Sequence, residues 1–168
     1  AGNATVRVTA CGISVDKNIL VHPPLTLALL GPLAACANET VTIQTDQPSL
    51  QHTWKNEAGN VISVSNQVNL YPGSYAVEIR NALGCIQDSF FTITTYPAPE
   101  VRISCTEDNV YCTTIPGGVD LIANTDGVDY TFLWYRDGVS TGVTGAVFNV
   151  TDFAKYFVEV TNQYGCKT

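Results

Sequence analysis

Two eleven-residue stretches, YAVEIRNALGC at 75–85 and YFVEVTNQYGC at 156–166, share one pattern. In both, a Tyr opens a run of alternating apolar and polar residues, an Asn and a Gly frame a short turn, and a Cys ends the stretch. Alternation with a period of two is typical of a strand with one buried face, and Gly allows the positive φ that a tight connection needs. Each stretch therefore predicts a strand and a four-residue hairpin turn, with Cys85 and Cys166 opening the next strand.

The repetition extends upstream of both stretches. Residues 40–59, TVTIQTDQPSLQHTWKNEAG, match residues 118–138, GVDLIANTDGVDYTFLWYRDG, as a strand, a polar turn and a second strand that carries a Trp. The matched cysteines, tryptophans and turns predict two homologous modules, at 23–97 and 98–168. The boundary falls at TYPAPE, 95–100, where two prolines stiffen the connection. Short alternating strands with polar turns, and no convincing helical periodicity, predict an all-β fold of β-sandwich modules.

Residues 1–22 resemble the last two strands of a preceding, incomplete module, because Pro23 follows Cys11 at the spacing at which Pro97 follows Cys85. The second module stops before its own last strand. Two explanations remain open: the chain is a window cut from a longer one, or the N-terminal segment of one subunit completes the last module of the next by donor-strand exchange. Both predict a linear head-to-tail array, so that the expected partners are neighbouring modules or subunits.

Composition restricts the class of protein. The net charge is −7 with a pI near 4.5, and the eight Lys and Arg residues are scattered, so no nucleic-acid partner is expected. The most apolar stretch, 25–37, is too short to cross a bilayer, so no membrane span is expected. Six cysteines without a Cys-x-x-Cys pair or a neighbouring His favour disulfides over a zinc site, and hence an extracellular location.

Residue types that could carry chemistry are few. His22 and His52 are the histidines, and neither lies in a nucleophile motif; His52 occupies the position of Phe132 in the second module, which favours a structural role. Asp126 and Asp129 lie in a polar turn that lacks the ligand run of a calcium loop, although calcium at a module junction stays open. We therefore expect no active site and no cofactor.

Aromatic residues and sequons allow a second type of function. Trp54 and Trp134 could be sugar-stacking platforms, but their matched positions in the two modules favour core packing. Tyr135 and Tyr164 are expected to be exposed. Three Asn-x-Ser/Thr sequons begin at Asn3, Asn38 and Asn149, and in a chain rich in Asn and Thr they carry little weight.

These features together resemble the tandem Ig-like (PKD-like) repeats of secreted bacterial surface proteins, such as the large adhesins of gliding bacteria. The matching residues are Cys36, Trp54, Tyr75, Val77, Asn81, Gly84 and Cys85, and then Cys112, Trp134, Tyr156, Val158, Asn162, Gly165 and Cys166. Two features depart from the pattern. The Tyr lies ten residues before the Cys, unlike the tyrosine corner of antibody domains, and Cys105 has no counterpart in the first module.

The resemblance implies a non-catalytic structural or adhesive repeat segment of an extracellular filament, stalk or surface adhesin. The expected fold is a linear array of Ig-like β-sandwich modules. The alternatives are a glycan-binding Ig-like module, and accessory domains of a larger secreted enzyme.

Each module is expected to be stapled by its own disulfide, with Cys36 bonded to Cys85 and Cys112 to Cys166. Small domains with thin cores usually need such bonds. Cys11 is expected to pair with a cysteine of the preceding module. Cys105 could pair beyond Thr168, in a neighbouring chain, or with Cys112.

Overall fold

The computed structural model describes residues 2–105 and 117–168. These residues form β-strands and turns and contain no helix, so the all-β prediction is confirmed. The strands are β1 (Gly2–Ala10), β2 (Ile13–Val21), β3 (Leu29–Leu30), β4 (Ala34–Cys36), β5 (Val41–Thr45), β6 (Gln51–Asn56), β7 (Val61–Ser63), β8 (Gln67–Leu70), β9 (Gly73–Arg80), β10 (Ile86–Tyr96), β11 (Val101–Cys105), β12 (Val119–Thr125), β13 (Thr131–Arg136), β14 (Val139–Ser140), β15 (Val147–Val150) and β16 (Tyr156–Thr161).

The chain divides into two compact units. Unit 1 comprises Ala1–Pro32, Thr42–Asn69 and Gly73–Thr92, and unit 2 comprises Leu33–Val41, Leu70–Pro72 and Ile93–Thr168. The module boundaries drawn from the sequence, 1–22, 23–97 and 98–168, stay a prediction.

In unit 1, β1 and β2 form an antiparallel hairpin that pairs Gly2 with Val21 and Ala10 with Ile13. Nearly all of its residues are exposed. The connection consists of two residues, Cys11 and Gly12, whose φ values of 50° and 79° are those of a tight hairpin turn. Cys11 therefore lies inside its turn, whereas the alignment with Cys85 placed it after one.

The larger sheet of unit 1 contains β10, β9, β6 and β7 in that order. The register of β6 and β9 sets Trp54 opposite Val77, and both side chains are fully buried. The Phe91 ring meets the Trp54 ring edge-on at 6.0 Å. The inward face that the alternation predicted for β9 is thus the buried face.

Unit 2 has a β-sandwich core. β14, β13 and β16 form one sheet, and β11, β12 and β15 form another. Ala123 of β12 packs with Trp134 of β13 and with Val158 and Val160 of β16. After Cys166 the chain turns back along β16, since Val160 and Thr168 exchange two backbone hydrogen bonds of 3.0 Å. After Cys166 the structure has an isolated bridge between Lys167 and Thr161 rather than the strand that the turn pattern predicted.

The predicted disulfide pairing is wrong, because Cys36 is bonded to Cys166. Strand β4 runs parallel to the end of β10 and sets Cys36 beside Tyr96. Cys85 precedes the first residue of β10, and eleven residues of extended strand span roughly 35 Å. A disulfide requires Cα atoms within about 7 Å, so Cys36 and Cys85 cannot meet. Cys112, the predicted partner of Cys166, lies outside the described residues. Cys166 itself is bonded to Cys36 and not to Cys112.

Candidate functional site

The cystine of unit 2 joins two residues that lie 130 positions apart in the sequence. The Cα atoms of Cys36 and Cys166 are 5.4 Å apart, and both residues are almost entirely buried. By the predicted boundaries, Cys36 belongs to the first module and Cys166 to the second. The bond lies within unit 2, whereas the predicted boundaries place its two cysteines in different sequence repeats.

The hairpin turn that carries Cys166 also makes noncovalent contacts. The Tyr164 ring stacks on the Tyr96 ring at 4.2 Å and is nearly parallel to it. The Asn162 side chain donates a hydrogen bond of 2.8 Å to the Pro97 carbonyl oxygen. The cystine is thus accompanied by the Tyr96–Tyr164 ring stack and by the hydrogen bond from Asn162 to Pro97. Tyr164, expected to be an isolated exposed aromatic, takes part in this contact.

The backbone around Cys166 is held by Asn162. Its Oδ1 accepts hydrogen bonds from the backbone N–H groups of Tyr164 and Cys166, each at 3.0 Å. The backbone N–H of Asn162 donates to the Cys166 carbonyl, and Gly165 N–H donates to the Asn162 carbonyl. Gly165 has a φ of 84°, which is why the fourth residue of this turn is Gly.

The turn that carries Cys85 repeats this geometry. Asn81 Oδ1 accepts from the backbone N–H groups of Leu83 and Cys85 at 3.0 and 2.9 Å, and Gly84 has the same φ of 84°. The Asn81 N–H likewise donates to the Cys85 carbonyl. The two turns differ at sulfur: Cys85 is a half-buried thiol, whereas Cys166 is in a disulfide.

Both tryptophans are core residues rather than sugar platforms. Trp54 and Trp134 are fully buried. Each indole N–H donates to a backbone carbonyl eleven residues later, to Ser65 at 2.7 Å and to Gly145 at 2.8 Å. The matched environment is the reason that Trp recurs at this position in both repeats.

His52 is a buried structural residue. Its Nε2 lies 2.7 Å from the Thr45 hydroxyl oxygen, and both residues are more than nine-tenths buried. Burial lowers the pKa of His52 from its ordinary value of 6.5, while a hydrogen bond with the Leu50 backbone raises it by less. The neutral imidazole is thus the form that the fold favours. His22, in contrast, is exposed after the end of β2.

Asp126, in the 124–130 turn, accepts hydrogen bonds from within the turn and from the backbone at Glu100. Asp126 Oδ1 accepts from the Tyr130 hydroxyl at 2.9 Å and from the Glu100 backbone N–H at 3.2 Å. The Tyr130 hydrogen bond is the main reason that the pKa of Asp126 is lowered. Asp129 adopts a positive φ of 62° in the same turn. Residues 2–105 and 117–168 contain no group of three His, Cys, Asp or Glu side chains placed to hold a metal ion.

An exposed aromatic that the sequence reasoning missed lies in unit 1. Phe90 is 82% exposed, because it points away from the core on the strand in which Phe91 points inward. A shallow pocket beside it is lined by aromatic and polar residues: Lys55, Asn56, Glu57, Gly59, Ser74, Tyr75, Ala76, Phe90, Phe91 and Thr92. The alternation along β10 would have identified Phe90 as the outward residue of the pair.

Comparison with known proteins identifies no family. No family model matches the chain, and no curated protein matches it. Among solved structures, the chain is similar to the crystal structure of murine CEACAM1b, an Ig-like protein, with a TM-score of 0.37 and 10% sequence identity over 82% of this chain and 93% of that one. Among the described residues, no helix is long and apolar enough to cross a membrane.

Proposed function

We propose that this chain is a non-catalytic structural or adhesive segment of an extracellular filament, stalk or surface adhesin, built from tandem modules. The observation that supports the proposal is the Cys36–Cys166 bond, because by the predicted boundaries its two cysteines belong to successive repeats. Closing a loop of this length constrains the unfolded chain by about 5 kcal/mol in the chain-entropy model. Such a bond persists in an oxidising compartment, which supports an extracellular location.

The roles of the polar side chains support a non-catalytic function. His52 is engaged by Thr45 inside the core, and Asp126 is engaged by Tyr130 and by the Glu100 backbone. A general base needs a free lone pair within reach of a substrate proton, and His52 is buried with its Nε2 at the Thr45 hydroxyl. Asp126 is exposed, and its Oδ1 is held by the turn and by the Glu100 backbone. These residues have a structural explanation that needs no reaction.

The hairpin β1–β2 supports an arrangement of subunits or modules in an array. It exposes a series of large apolar side chains: Val6, Val8, Ile13, Val15, Ile19, Leu20 and Val21. An isolated two-stranded hairpin is marginally stable in water, and exposed apolar strands tend to be covered by another chain or segment. The array is either one longer polypeptide or a series of subunits joined by strand exchange. If subunits are joined by strand exchange, deleting residues 1–22 from the natural full-length subunit should yield monomers. If the array is one longer polypeptide, the deletion should not have this effect.

The structural role is tested in the full-length protein on its native cells. Replacing Cys166 by Ser should reduce the fraction of protein that stays on the surface after shear, measured by immunoblot of the washed cells. Replacing Val128 by Ala, a change at an exposed residue, is the matched control and should leave retention unchanged. Unchanged retention in C166S would contradict the proposal.

A glycan-binding role is the second candidate, and the pocket beside Phe90 supports it. An exposed ring flanked by Asn56, Ser74 and Lys55 offers a stacking surface with hydrogen-bonding groups at its edge. On a glycan array, Phe90→Ala should abolish any binding that the wild type shows, whereas Val128→Ala should not. An array with no wild-type signal would remove this candidate.

A further inference from the structure

We propose that Cys85 is the attachment point of a second intermodule disulfide, formed with a cysteine of a further Ig-like module. That cysteine would end a short edge strand as Cys36 does in this chain. The inference rests on the proposed function, because it assumes that modules of this type follow one another. It deepens that function by naming the covalent partner of a thiol that is unpaired among the described residues.

The first argument is the bonded twin of Cys85. The turns at 81–85 and 162–166 have the same four hydrogen bonds, the same φ of 84° at Gly and the same position after an alternating strand. In the second turn the cysteine does form a disulfide. The independent observation is thus the bond itself: this turn, at its other occurrence in the chain, presents its sulfur to a cysteine from another strand.

The second argument is the apolar surface beside Cys85. Leu83 occupies the turn position of Tyr164, which stacks on Tyr96 next to the cystine. Leu83 is 63% exposed, and Ile86, on the other side of Cys85, is 47% exposed. A further module bonded to Cys85 would cover these two side chains in the way that Tyr96 covers Tyr164.

The geometry of the known bond describes the partner. Cys36 is the last residue of β4, a three-residue strand that pairs in parallel with the end of β10. The partner of Cys85 is accordingly a cysteine at the end of a short edge strand. Bond formation is thiol–disulfide exchange: the Cys85 thiolate attacks a disulfide of a protein thiol oxidant, and the partner thiolate then displaces the oxidant from the mixed disulfide. The oxidant leaves as its dithiol, having taken up two electrons and the two thiol protons.

Cys11 is the natural control. It is exposed, and it lies within a two-residue turn of positive φ, without the Asn that fixes Cys85 and Cys166. Its sulfur is therefore not presented in the manner of the bonded turn. Replacing Cys11 by Ser should leave the proposed bond intact, and replacing Cys85 by Ser should remove it.

The test is a disulfide map of the full-length protein from its native cells, alkylated under denaturing conditions before digestion without reductant. We expect the Cys85 peptide to be joined to a cysteine of another Ig-like module. A partner in a second copy would give a ladder on a non-reducing gel that is lost in C85S and kept in C11S. A partner on the same polypeptide would give no ladder, but would hold fragments together after cleavage between modules.

Recovery of Cys85 as an alkylated thiol, as a mixed disulfide with a small thiol, or in a bond to Cys11, Cys105 or Cys112 of the same chain would overturn the inference. The same map reports on Cys36 and Cys166. If that bond is intact while Cys85 is free, the inference fails and the proposed function stands; loss of the proposed function is detected separately, by unchanged surface retention of C166S.

Discussion

The Cys36–Cys166 bond sets how far the chain can be extended when it is pulled at its two ends. The enclosed segment has a sequence separation of 130 residues, and the two Cα atoms stay 5.4 Å apart while the bond is intact. At about 3.3–3.6 Å per extended residue, the bond withholds roughly 430–470 Å of contour length. Reduction of this one bond should therefore release that contour length when the chain is stretched.

Single-molecule force spectroscopy with handles at the two ends measures that length. The oxidised chain should extend only through the residues outside the bond, and the reduced chain should gain the withheld roughly 430–470 Å. C166S should show the long extension without reductant. C85S is the matched control, because it changes the equivalent turn without touching the bond, and it should extend like the oxidised wild type.

A gain of only roughly 160–180 Å on reduction would refute this reasoning. That is the contour length of the segment between Cys36 and Cys85, so it would mean that Cys36 pairs within the first predicted module. A long extension of the oxidised wild type would refute it as well, because it would mean that no bond encloses the segment.

Three further predictions concern polar side chains that hydrogen-bond within the fold. Burial lowers the pKa of His52 below 6.5, so the unfolded chain binds the proton first as the pH falls. The free energy of unfolding should therefore be highest above about pH 6.5 and should decrease below it. Urea unfolding should show this pH dependence in the wild type and not in His52→Gln. Thr45→Val leaves the His52 Nε2 without its partner and should cost roughly 1–3 kcal/mol at neutral pH, and a cost near zero in the same urea assay would contradict the buried hydrogen bond. Asn162→Ala removes the acceptor of two backbone N–H groups, so it should destabilise the fold by roughly 1–2 kcal/mol and slow the reoxidation of Cys166. Asn81→Ala should destabilise the fold by a similar amount but leave the reoxidation rate of Cys166 unchanged, measured by thiol titration during refolding.

The local parts of the structure could be predicted from the sequence because their causes are local. Alternation predicted the buried face of β9, with Val77 inside, since side chains on a strand point to opposite faces in turn. Asn and Gly predicted the turns at 81–85 and 162–166, because Asn can accept from the backbone beyond it and Gly can adopt positive φ. The recurrence of Trp predicted a buried position in both repeats, and Trp54 and Trp134 are both buried. The all-β class follows from these elements.

Tertiary structure alone decided which cysteines meet. A repeat shows that Cys85 and Cys166 have equivalent local settings, but it does not show which strand lies opposite each sulfur. The parallel pairing of β4 with the end of β10 brings Cys36 to Tyr96, a full strand length away from Cys85 and next to the segment that Asn162 anchors. A disulfide depends on the distance between two Cα atoms. That distance is set by long-range strand pairing, which the alternation of a single strand does not encode.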